Sequence, residues 1–331
     1  MAITVTTSYD NSTAVVVLPP VGGRLRDKGL RNWLARADLA RVNGPVELLA
    51  SVLGELGIPC PDEGLAALRI WGQTGDRPTV WIAAADPVYL EPRMDHLCLH
   101  ELRRQGIPPA DLRPLIDHLQ KTLASDGDGD VGFARVGSFA YVTSPQAIAS
   151  ANLPAYAIDQ RPPDDYLPVG EDAARHRQLS SEIEMALHEH EVNIQRQNDG
   201  LQPVNGLWIW GGGQAPQQTT EPHPPLFSDD PLLRGYWTSK TSVAEYWPGN
   251  IGRCLDLAVA GFVAVTPEFD DDAELLESCL HELHQALNSR RLSKLILLFR
   301  DGIYADVRRS QAIRIWRRGH PFIDATRGEQ Q

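Results

Sequence analysis

The fold of this chain is decided by residues 188–213, which read HEHEVNIQRQNDGLQPVNGLWIWGGG. The segment LWIW predicts a buried strand, because Leu207 and Ile209 point to one face and Trp208 and Trp210 to the other. Three glycines follow this strand, and a polar run that predicts a helix precedes it. A helix that brings polar side chains to a strand ending in glycines is typical of a ligand pocket at the carboxyl edge of a sheet.

The predicted helix before this strand carries candidate ligand-binding side chains. Glu189, Asn193 and Arg196 are spaced i, i+4, i+7 and share a face, and His190 shares an adjoining face with Asn193. An amide offers donors and acceptors, and a guanidinium can bind an anion in two places. We therefore expect a small polar or anionic ligand; the competing interpretation is a solvated helix face followed by a flexible turn. The expected ligand-binding set is Glu189, His190, Asn193, Arg196, Asn205, Trp210, Gly211, Gly212 and Gly213.

The composition excludes several classes of protein. The chain has 331 residues with 42% hydrophobic content, as expected for a folded protein of about two domains or one large α/β domain. Its net charge of −12 argues against non-specific nucleic-acid binding. The four cysteines form no CxxC pair, and the first apolar run, residues 14–20, is too short for a signal sequence or a membrane span. We expect a cytoplasmic protein without a membrane partner.

Strands and helices alternate along the chain, which predicts a mixed α/β fold: a mixed sheet flanked by helices, with hairpin additions. Strands are predicted at 14–18, 79–85, 133–136, 138–143, 206–210, 262–266, 294–299 and 303–307, and helices at 28–41, 45–56, 109–125, 172–199, 251–258 and 270–287. A proline-rich crossover at 151–170 divides an N-terminal α/β part, 1–150, from a C-terminal α/β part, 171–331, and the two parts can also form one composite domain.

One pattern in the central block resembles a known family. It runs Asn193-x-x-Arg196, Gly200, Pro203-x-Asn205 and Trp210-Gly-x-Gly213, with looser echoes at Ala85-Asp-Pro-Val88, Asp229-Asp-Pro-Leu-Leu-Arg-Gly235 and Trp316-Arg-Arg318. The pattern resembles bacterial cofactor-independent phosphoglycerate mutase-like proteins, a family that includes a regulatory protein named from a pathogenicity-factor cluster. It is also similar to archaeal-type phosphoglycerate mutases, and this resemblance implies an alkaline-phosphatase-like α/β fold.

The chain departs from these mutases where their chemistry resides. The family places an Asp-Gly at the end of its first strand, binds two divalent metals through Asp and His, and carries phosphate on a Ser. Here the first strand ends in Leu18-Pro19-Pro20, and downstream of it neither an Asp-x-Ser nucleophile motif nor a Gly-His-Asp metal motif is found. Two-metal phosphotransfer needs those ligands. We therefore expect a non-catalytic or regulatory relative that binds a ligand and no cofactor.

Two other functions stay open at the level of sequence. One is a metal-dependent phosphohydrolase or phosphomutase with a rearranged site, which would hold a divalent cation such as Mn²⁺ through Asp86, Asp229, Asp230 and some histidines. The other is a protein-interaction module whose partner contacts the tryptophan-rich region near Trp237 and Trp247. The basic residues Arg308, Arg309, Arg314, Arg317 and Arg318 could bind phosphate, although a solvated edge strand is the simpler interpretation.

Overall fold

The computed structural model describes residues 12–102, 107–124, 131–170, 173–258, 260–267, 273–317 and 319–324. Asp172, Asp270, Asp271, Asp272 and Arg318, on which parts of the sequence predictions fall, lie outside these ranges. The strands are β1 (Thr13–Leu18), β2 (Asp38–Arg41), β3 (Trp81–Pro92), β4 (Leu97–Glu101), β5 (Gly132–Val136), β6 (Phe139–Ser144), β7 (Gly206–Gly213), β8 (Leu226–Phe227), β9 (Ala244–Glu245), β10 (Phe262–Val265), β11 (Lys294–Phe299) and β12 (Ile303–Arg308).

The α-helices are α1 (Lys28–Ala35), α2 (Leu48–Glu55), α3 (Leu65–Thr74), α4 (Pro109–Leu123), α5 (Ala173–His188), α6 (Glu191–Asn198), α7 (Pro231–Ser239), α8 (Ile251–Leu257), α9 (Ala273–Asn288) and α10 (Pro321–Asp324). Short 3-10 turns lie at Ala155–Ile158, Asp164–Tyr166 and Arg309–Ile313. Within the described residues, no helix is both long enough and apolar enough to cross a membrane. The predicted mixed α/β architecture, with sheets flanked by helices, is confirmed.

The residues group by their contacts into two compact units. Unit 1 contains 1–60, 219–230 and 240–331, and unit 2 contains 61–218 and 231–239. The predicted crossover at 151–170 lies within unit 2, so the chain enters and leaves this unit elsewhere. The division into parts 1–150 and 171–331 stays a prediction about folding domains.

Unit 1 is built on a seven-stranded sheet in the order β2-β12-β11-β1-β10-β8-β9. The apolar strand β1 lies between β10 and β11 and is parallel to both, so its residues are buried on both faces. The predicted hairpin of β11 and β12 is confirmed as an antiparallel pair. The predicted helix 28–41 is wrong at its end, because its last four residues form β2, which pairs with β12.

Unit 2 is built on a five-stranded sheet centred on β3, which pairs antiparallel with β4, β6 and β7. β3 extends beyond its predicted end at residue 85 and passes through Asp86-Pro87, since a residue before proline favours the extended conformation. Helices α4 and α5 pack with β3 and β7 around one apolar core, and α3 packs along α7. The predicted hairpin of β5 and β6 is confirmed.

The predicted helix 172–199 is wrong in one respect, because two helices fill this stretch. α5 ends at His188, and α6 begins at Glu191. His190 takes an extended conformation between them, and its Nδ1 accepts a hydrogen bond from the Val192 N–H at 3.2 Å. The imidazole therefore acts as the N-cap of α6, a role more often filled by Ser, Thr, Asp or Asn.

Candidate functional site

Asn193 connects the end of α5 to the start of β7 in unit 2. Its side chain is 2% exposed, and its Nδ2 donates to the carbonyls of Leu187 and Val204, each at 2.8 Å. Its Oδ1 accepts from the Val204 N–H at 2.8 Å. Three protein hydrogen bonds therefore occupy the amide predicted to bind a ligand.

Arg196 and Asn205 are held in the same way. The Arg196 Nε donates to the carbonyl of Gln202 at 3.0 Å, and its NH1 lies 2.9 Å from an Asp111 carboxylate oxygen. Asn205 bonds the backbone of Leu90 twice, accepting at 2.7 Å and donating at 2.9 Å, as a strand neighbour would. Both side chains fasten the loop before β7 to α4 and β3.

Glu189 and His190 lie in the break between α5 and α6. Glu189 is exposed, and His190 is half-buried with its ring against the ring of His118, 4.9 Å away between centroids. Burial lowers the pKa of His190, and the nearby His118 lowers it further. A neutral imidazole can accept the capping hydrogen bond from Val192, so this shift suits a structural role.

The glycines after the tryptophans lie against other segments of the chain. The Gly211 N–H donates to the carbonyl of Ala151 at 2.8 Å, and the Gly212 N–H donates to the Ser150 Oγ at 2.9 Å. A Cβ placed on Gly213 would overlap the backbone of Gly64, and the φ of Gly213 is +149°. The glycines are needed here because two segments of the protein come close together.

The structure does not bring the two halves of the predicted pocket together. Asn193 and Arg196 lie beside the residues that precede β7, whereas Gly211 to Gly213 end that strand. At about 3.3 Å per residue, the strand separates the two groups by roughly 20 Å or more. The predicted convergence is therefore wrong, and a ligand-binding role for the individual residues stays a prediction.

Trp210 and Asp86 belong to a buried polar cluster in unit 2. The Trp210 Nε1 donates to one oxygen of Asp86 at 2.6 Å, and the other oxygen lies 2.9 Å from the Arg69 NH1. The Arg69 guanidinium lies over the rings of Phe139 and Tyr141, each 4.7 Å away. Both oxygens of the Asp86 carboxylate are thus paired with protein donors, and the Arg69 guanidinium balances its charge. Asp86 is therefore a poor candidate for the alternative metal site.

Asp229 and Asp230 follow β8 in unit 1 rather than joining Asp86 in unit 2. Asp229 accepts from the backbone N–H of Trp247 at 3.3 Å, and the Asp230 N–H donates to the Ser228 Oγ at 3.0 Å. In the part of the chain that the structure describes, these aspartates belong to no group of three potential metal ligands. The proposed docking surface also needs correction, because Trp237 is fully buried and Trp247 packs against the core of unit 1.

The carboxyl edge of the parallel strands in unit 1 is closed by its own hydrogen bonds. β1 runs into Pro19-Pro20, and the next two N–H groups, of Val21 and Gly22, donate to the Asp301 Oδ2 at 3.1 and 2.9 Å. The Arg300 NH2 donates to the carbonyl of Thr266 at 2.8 Å, which joins the ends of β11 and β10. The sequence shows Asp301 only as part of a hairpin turn, so this role was missed.

An arginine-lined cavity in unit 1 offers a better place for an anion. It encloses about 240 Å³ between α1, α9 and the turn after β12, and Arg36, Arg308 and Arg309 contribute to its wall. Among the residues that the structure describes, no aspartate or glutamate lines this cavity. The Nε of Arg36 is buried and has no hydrogen-bond partner among the described residues. Arg308 is already bound through both Asp306 oxygens, so Arg36 and Arg309 supply the available positive charge.

Aromatic and amide side chains complete this cavity. The ring of His284 stacks on Trp33, with centroids 4.6 Å apart, and Asn32 and Asn288 add hydrogen-bonding groups. Burial lowers the pKa of His284, and the nearby charges of His281 and Arg36 lower it further. The predicted basic concentration therefore supplies two wall residues, whereas Arg36, Trp33 and His284 come from α1 and α9 and were not predicted.

Comparison with known proteins shows a distant relationship to phosphoglycerate mutases. No family model matches the chain. A 2,3-bisphosphoglycerate-independent phosphoglycerate mutase of Methanothrix thermoacetophila is 40% identical over 117 residues, 35% of this chain and 27% of the relative. A Geobacter sulfurreducens protein described as a probable mutase of the same kind is 26% identical over 190 residues, 56% of this chain and 44% of the relative. The chain is a distant homologue of these enzymes, and its matches span less than half of their length.

Solved structures extend the likeness at the level of fold. A Pyrococcus horikoshii protein of known structure superposes with a TM-score of 0.50 at 11% identity and covers 90% of this chain and 88% of its own. The cofactor-independent phosphoglycerate mutase from Thermoplasma acidophilum gives a TM-score of 0.40 at 17% identity, covering 90% of this chain and 89% of its own. The Pyrococcus horikoshii protein therefore shares the α/β fold of this chain.

Proposed function

We propose that this chain is a non-catalytic, regulatory relative of the cofactor-independent phosphoglycerate mutases, of the pathogenicity-factor type, which binds a small anion in the arginine-lined cavity. The observation that carries the proposal is the Nε of Arg36, which is buried and has no hydrogen-bond partner among the described residues. The residues that the structure shows around this cavity include arginines and no aspartate or glutamate. An arginine donor that lacks a partner in a partly buried site favours an anion, because a charge-assisted hydrogen bond relieves the cost of its desolvation.

The cavity suits a small phosphorylated acid better than a large ligand. A space of about 240 Å³ is below the range of drug-sized pockets. The guanidinium of Arg36 would bind the anionic oxygens, Arg309 would close the exposed side, and the amide of Asn32 or Asn288 would bind a hydroxyl group. The chain's net charge of −12 makes such a local positive site unusual on this molecule.

The closed carboxyl edge of unit 1 supports the non-catalytic part of the proposal. Phosphotransfer through two metals needs several oxygen and imidazole ligands at one place. Here the loop after β1 offers two prolines, and one oxygen of Asp301 accepts two backbone hydrogen bonds. We therefore expect no phosphoglycerate mutase turnover from the purified chain, with or without Mn²⁺.

The proposal is tested by calorimetry and thermal unfolding with sulfate, phosphate and 3-phosphoglycerate. At least one of these anions should stabilise the chain, and Arg36→Gln should weaken its binding about tenfold or more, since a charged hydrogen bond contributes about 1.5 to 3 kcal/mol. Arg113→Gln is the matched control, because Arg113 is exposed on α4 in unit 2. Stabilisation that is absent, or equal in the Arg36 and Arg113 variants, would contradict anion binding in this cavity.

One observation favours the alternative of a metal-dependent phosphohydrolase. The Asp301 Oδ1 is buried and has no hydrogen-bond partner among the described residues, so it could bind a cation. Phosphatase or mutase turnover that requires Mn²⁺ and disappears in Asp301→Asn would overturn the non-catalytic proposal. Absence of turnover in both proteins supports it.

A further inference from the structure

A group of potential metal ligands lies on the β3–β4 hairpin of unit 2, apart from every residue used above. Glu91 on β3 is directly opposite Cys98 on β4 in the antiparallel register. His100 follows Cys98 by two residues, so its side chain lies on the same face of the sheet. The hairpin therefore brings a carboxylate, a thiol and an imidazole together, although they are distributed over both strands.

The three donor groups are close enough to share one ion. Their ligand atoms all lie within 4.8 Å of one another, and the His100 Nε2 is 2.8 Å from the Glu91 Oε2. Cys98 is buried, the His100 side chain is 13% exposed and the Glu91 side chain is 34% exposed. The site is thus closed beneath the thiol and open beside the carboxylate.

We propose that Glu91, Cys98 and His100 form a zinc site with one position open to water or another ligand. Sulfur, nitrogen and oxygen donors together favour Zn²⁺ over Mg²⁺, Ca²⁺ or Mn²⁺, which prefer oxygen. A thiolate and a carboxylate neutralise the dication, and the Cys98 thiol releases its proton to solvent when the sulfur–zinc bond forms. Three protein ligands and one open position are typical of zinc sites that bind or activate a further molecule.

Neighbouring side chains orient the ligands. The ring of Tyr89 stacks against that of His100 with centroids 5.9 Å apart, which restricts the rotation of the imidazole. Arg93 lies at the open side, and its Nε and NH2 are 3.0 and 2.7 Å from the Glu91 Oε2. The hydrogen bonds from His100 and Arg93 hold the Glu91 carboxylate in place and lower its pKa.

Arg93 also gives the proposal a directional test. Its positive charge balances Glu91 while no ion is bound, and it repels an incoming cation. Zinc has to share Glu91 with this guanidinium or displace it. Arg93→Gln should therefore bind zinc more tightly than the unmodified chain, which is the opposite of what a general loss of structure would produce.

The experiment is zinc titration of the purified full chain, followed by cobalt substitution. We expect one zinc per chain, and with Co²⁺ a thiolate charge-transfer absorption together with the visible bands of a tetrahedral ion. Cys98→Ser and His100→Gln should each weaken zinc binding by more than about 10- to 100-fold, the range seen when an outer partner of a ligand is lost. Cys60→Ser is the matched control, because Cys60 is half-exposed and lies in unit 1.

The results separate a metal site from a merely structural cluster. Circular dichroism of each metal-free variant shows whether it has folded, and Glu91→Gln provides a second ligand variant if Cys98→Ser does not fold. Zinc binding that is absent, or equal in Cys98→Ser, His100→Gln and Cys60→Ser, would overturn the proposal. The readout is independent of anion binding, so its failure leaves the proposed function untouched.

Discussion

At the scale of single residues, polar side chains that were predicted to bind a ligand form hydrogen bonds within the protein instead. Asn193, Arg196 and Asn205 each bond two or more backbone or side-chain groups around the loop before β7. The sequence predicted a ligand-binding role for Asn193, and in the structure its side chain is 2% exposed. The sequence could not reveal what the amide contacts, because its partner Val204 lies 11 residues further along the chain.

Replacing Asn193 distinguishes a structural amide from a ligand-binding one. Asn193→Ala leaves the carbonyls of Leu187 and Val204 and the Val204 N–H without their buried partner, and each such loss costs about 1 to 3 kcal/mol. We expect the free energy of unfolding, measured in urea, to fall by at least about 2 kcal/mol. Asn198→Ala, on the exposed side of the same helix, should change it by less than about 0.5 kcal/mol. Equal effects of the two substitutions would show that the Asn193 amide is not structural.

At the scale of secondary-structure elements, the close contact of α3 with α7 depends on two glycines. A Cβ added to Gly72 would overlap the carbonyl of Pro231, and one added to Gly235 would overlap the carbonyl of Leu68. The helices therefore approach with backbone against backbone, as small residues permit. Neither helix was predicted, because α3 and α7 are short and the residues around each glycine do not form a long apolar stripe.

Gly72→Ala should separate these helices. The added methyl group has no space, and overpacking of this kind costs about 1 to 3 kcal/mol, which exceeds the gain of about 1 kcal/mol in helix propensity. Gly54→Ala is the control, since Gly54 is also inside a helix but has nothing within 4 Å of the added atom. We expect a lower melting temperature for Gly72→Ala and an unchanged or higher one for Gly54→Ala. A Gly72→Ala protein as stable as the unmodified chain would contradict the packing.

The elements predicted best are those whose neighbours in sequence determine them. The apolar strands β1, β10 and β11 and the hairpins were found from pattern and turn residues alone. The errors fall where contacts within the folded protein decide the structure. β2 lies in the predicted helix 28–41 but pairs with β12 as a strand. His190 divides the predicted helix 172–199 into two, because its side chain caps α6. Helical periodicity carries no information about either contact.

At the scale of the whole molecule, the fold was predictable and the site was not. Alternating strands and helices predicted the mixed α/β class, and the central block predicted the distant mutase relationship. The arginine-lined cavity combines residues near positions 33, 284 and 309, which no local pattern connects. A site assembled from three separate segments becomes visible only when the chain is folded.

We expect anion binding in the cavity to depend on pH, because His284 lies in its wall. The folded-state pKa of His284 lies below the ordinary histidine value of 6.5, so the unfolded chain binds more protons below that pH, and stability decreases as the pH falls. Protonated His284 adds positive charge to the cavity, so sulfate, which stays a dianion, should bind more tightly at about pH 5.5 than at about pH 7.5. Calorimetry at both values measures the difference.

His284→Gln is the control for this effect. The variant should lose most of the pH dependence, whereas a general reduction of the chain's negative charge would affect both proteins equally. Sulfate affinity that rises equally on acidification in both proteins would assign the effect to net charge. Affinity that does not rise in the unmodified chain would show that His284 is not coupled to the anion.

The approach of Gly213 to Gly64 has a consequence for the comparison and design of related sequences. A side chain on Gly213 would overlap the backbone of Gly64, and one on Gly64 would overlap the carbonyl of Gln214; both glycines also have positive φ angles. A mutational library selected only for folded protein would therefore return glycine at both positions. Glycines retained at these two positions would therefore reflect the conformation of the backbone and not a shared activity. For this reason, a triple glycine after a tryptophan-rich strand is weak evidence that two sequences have the same function.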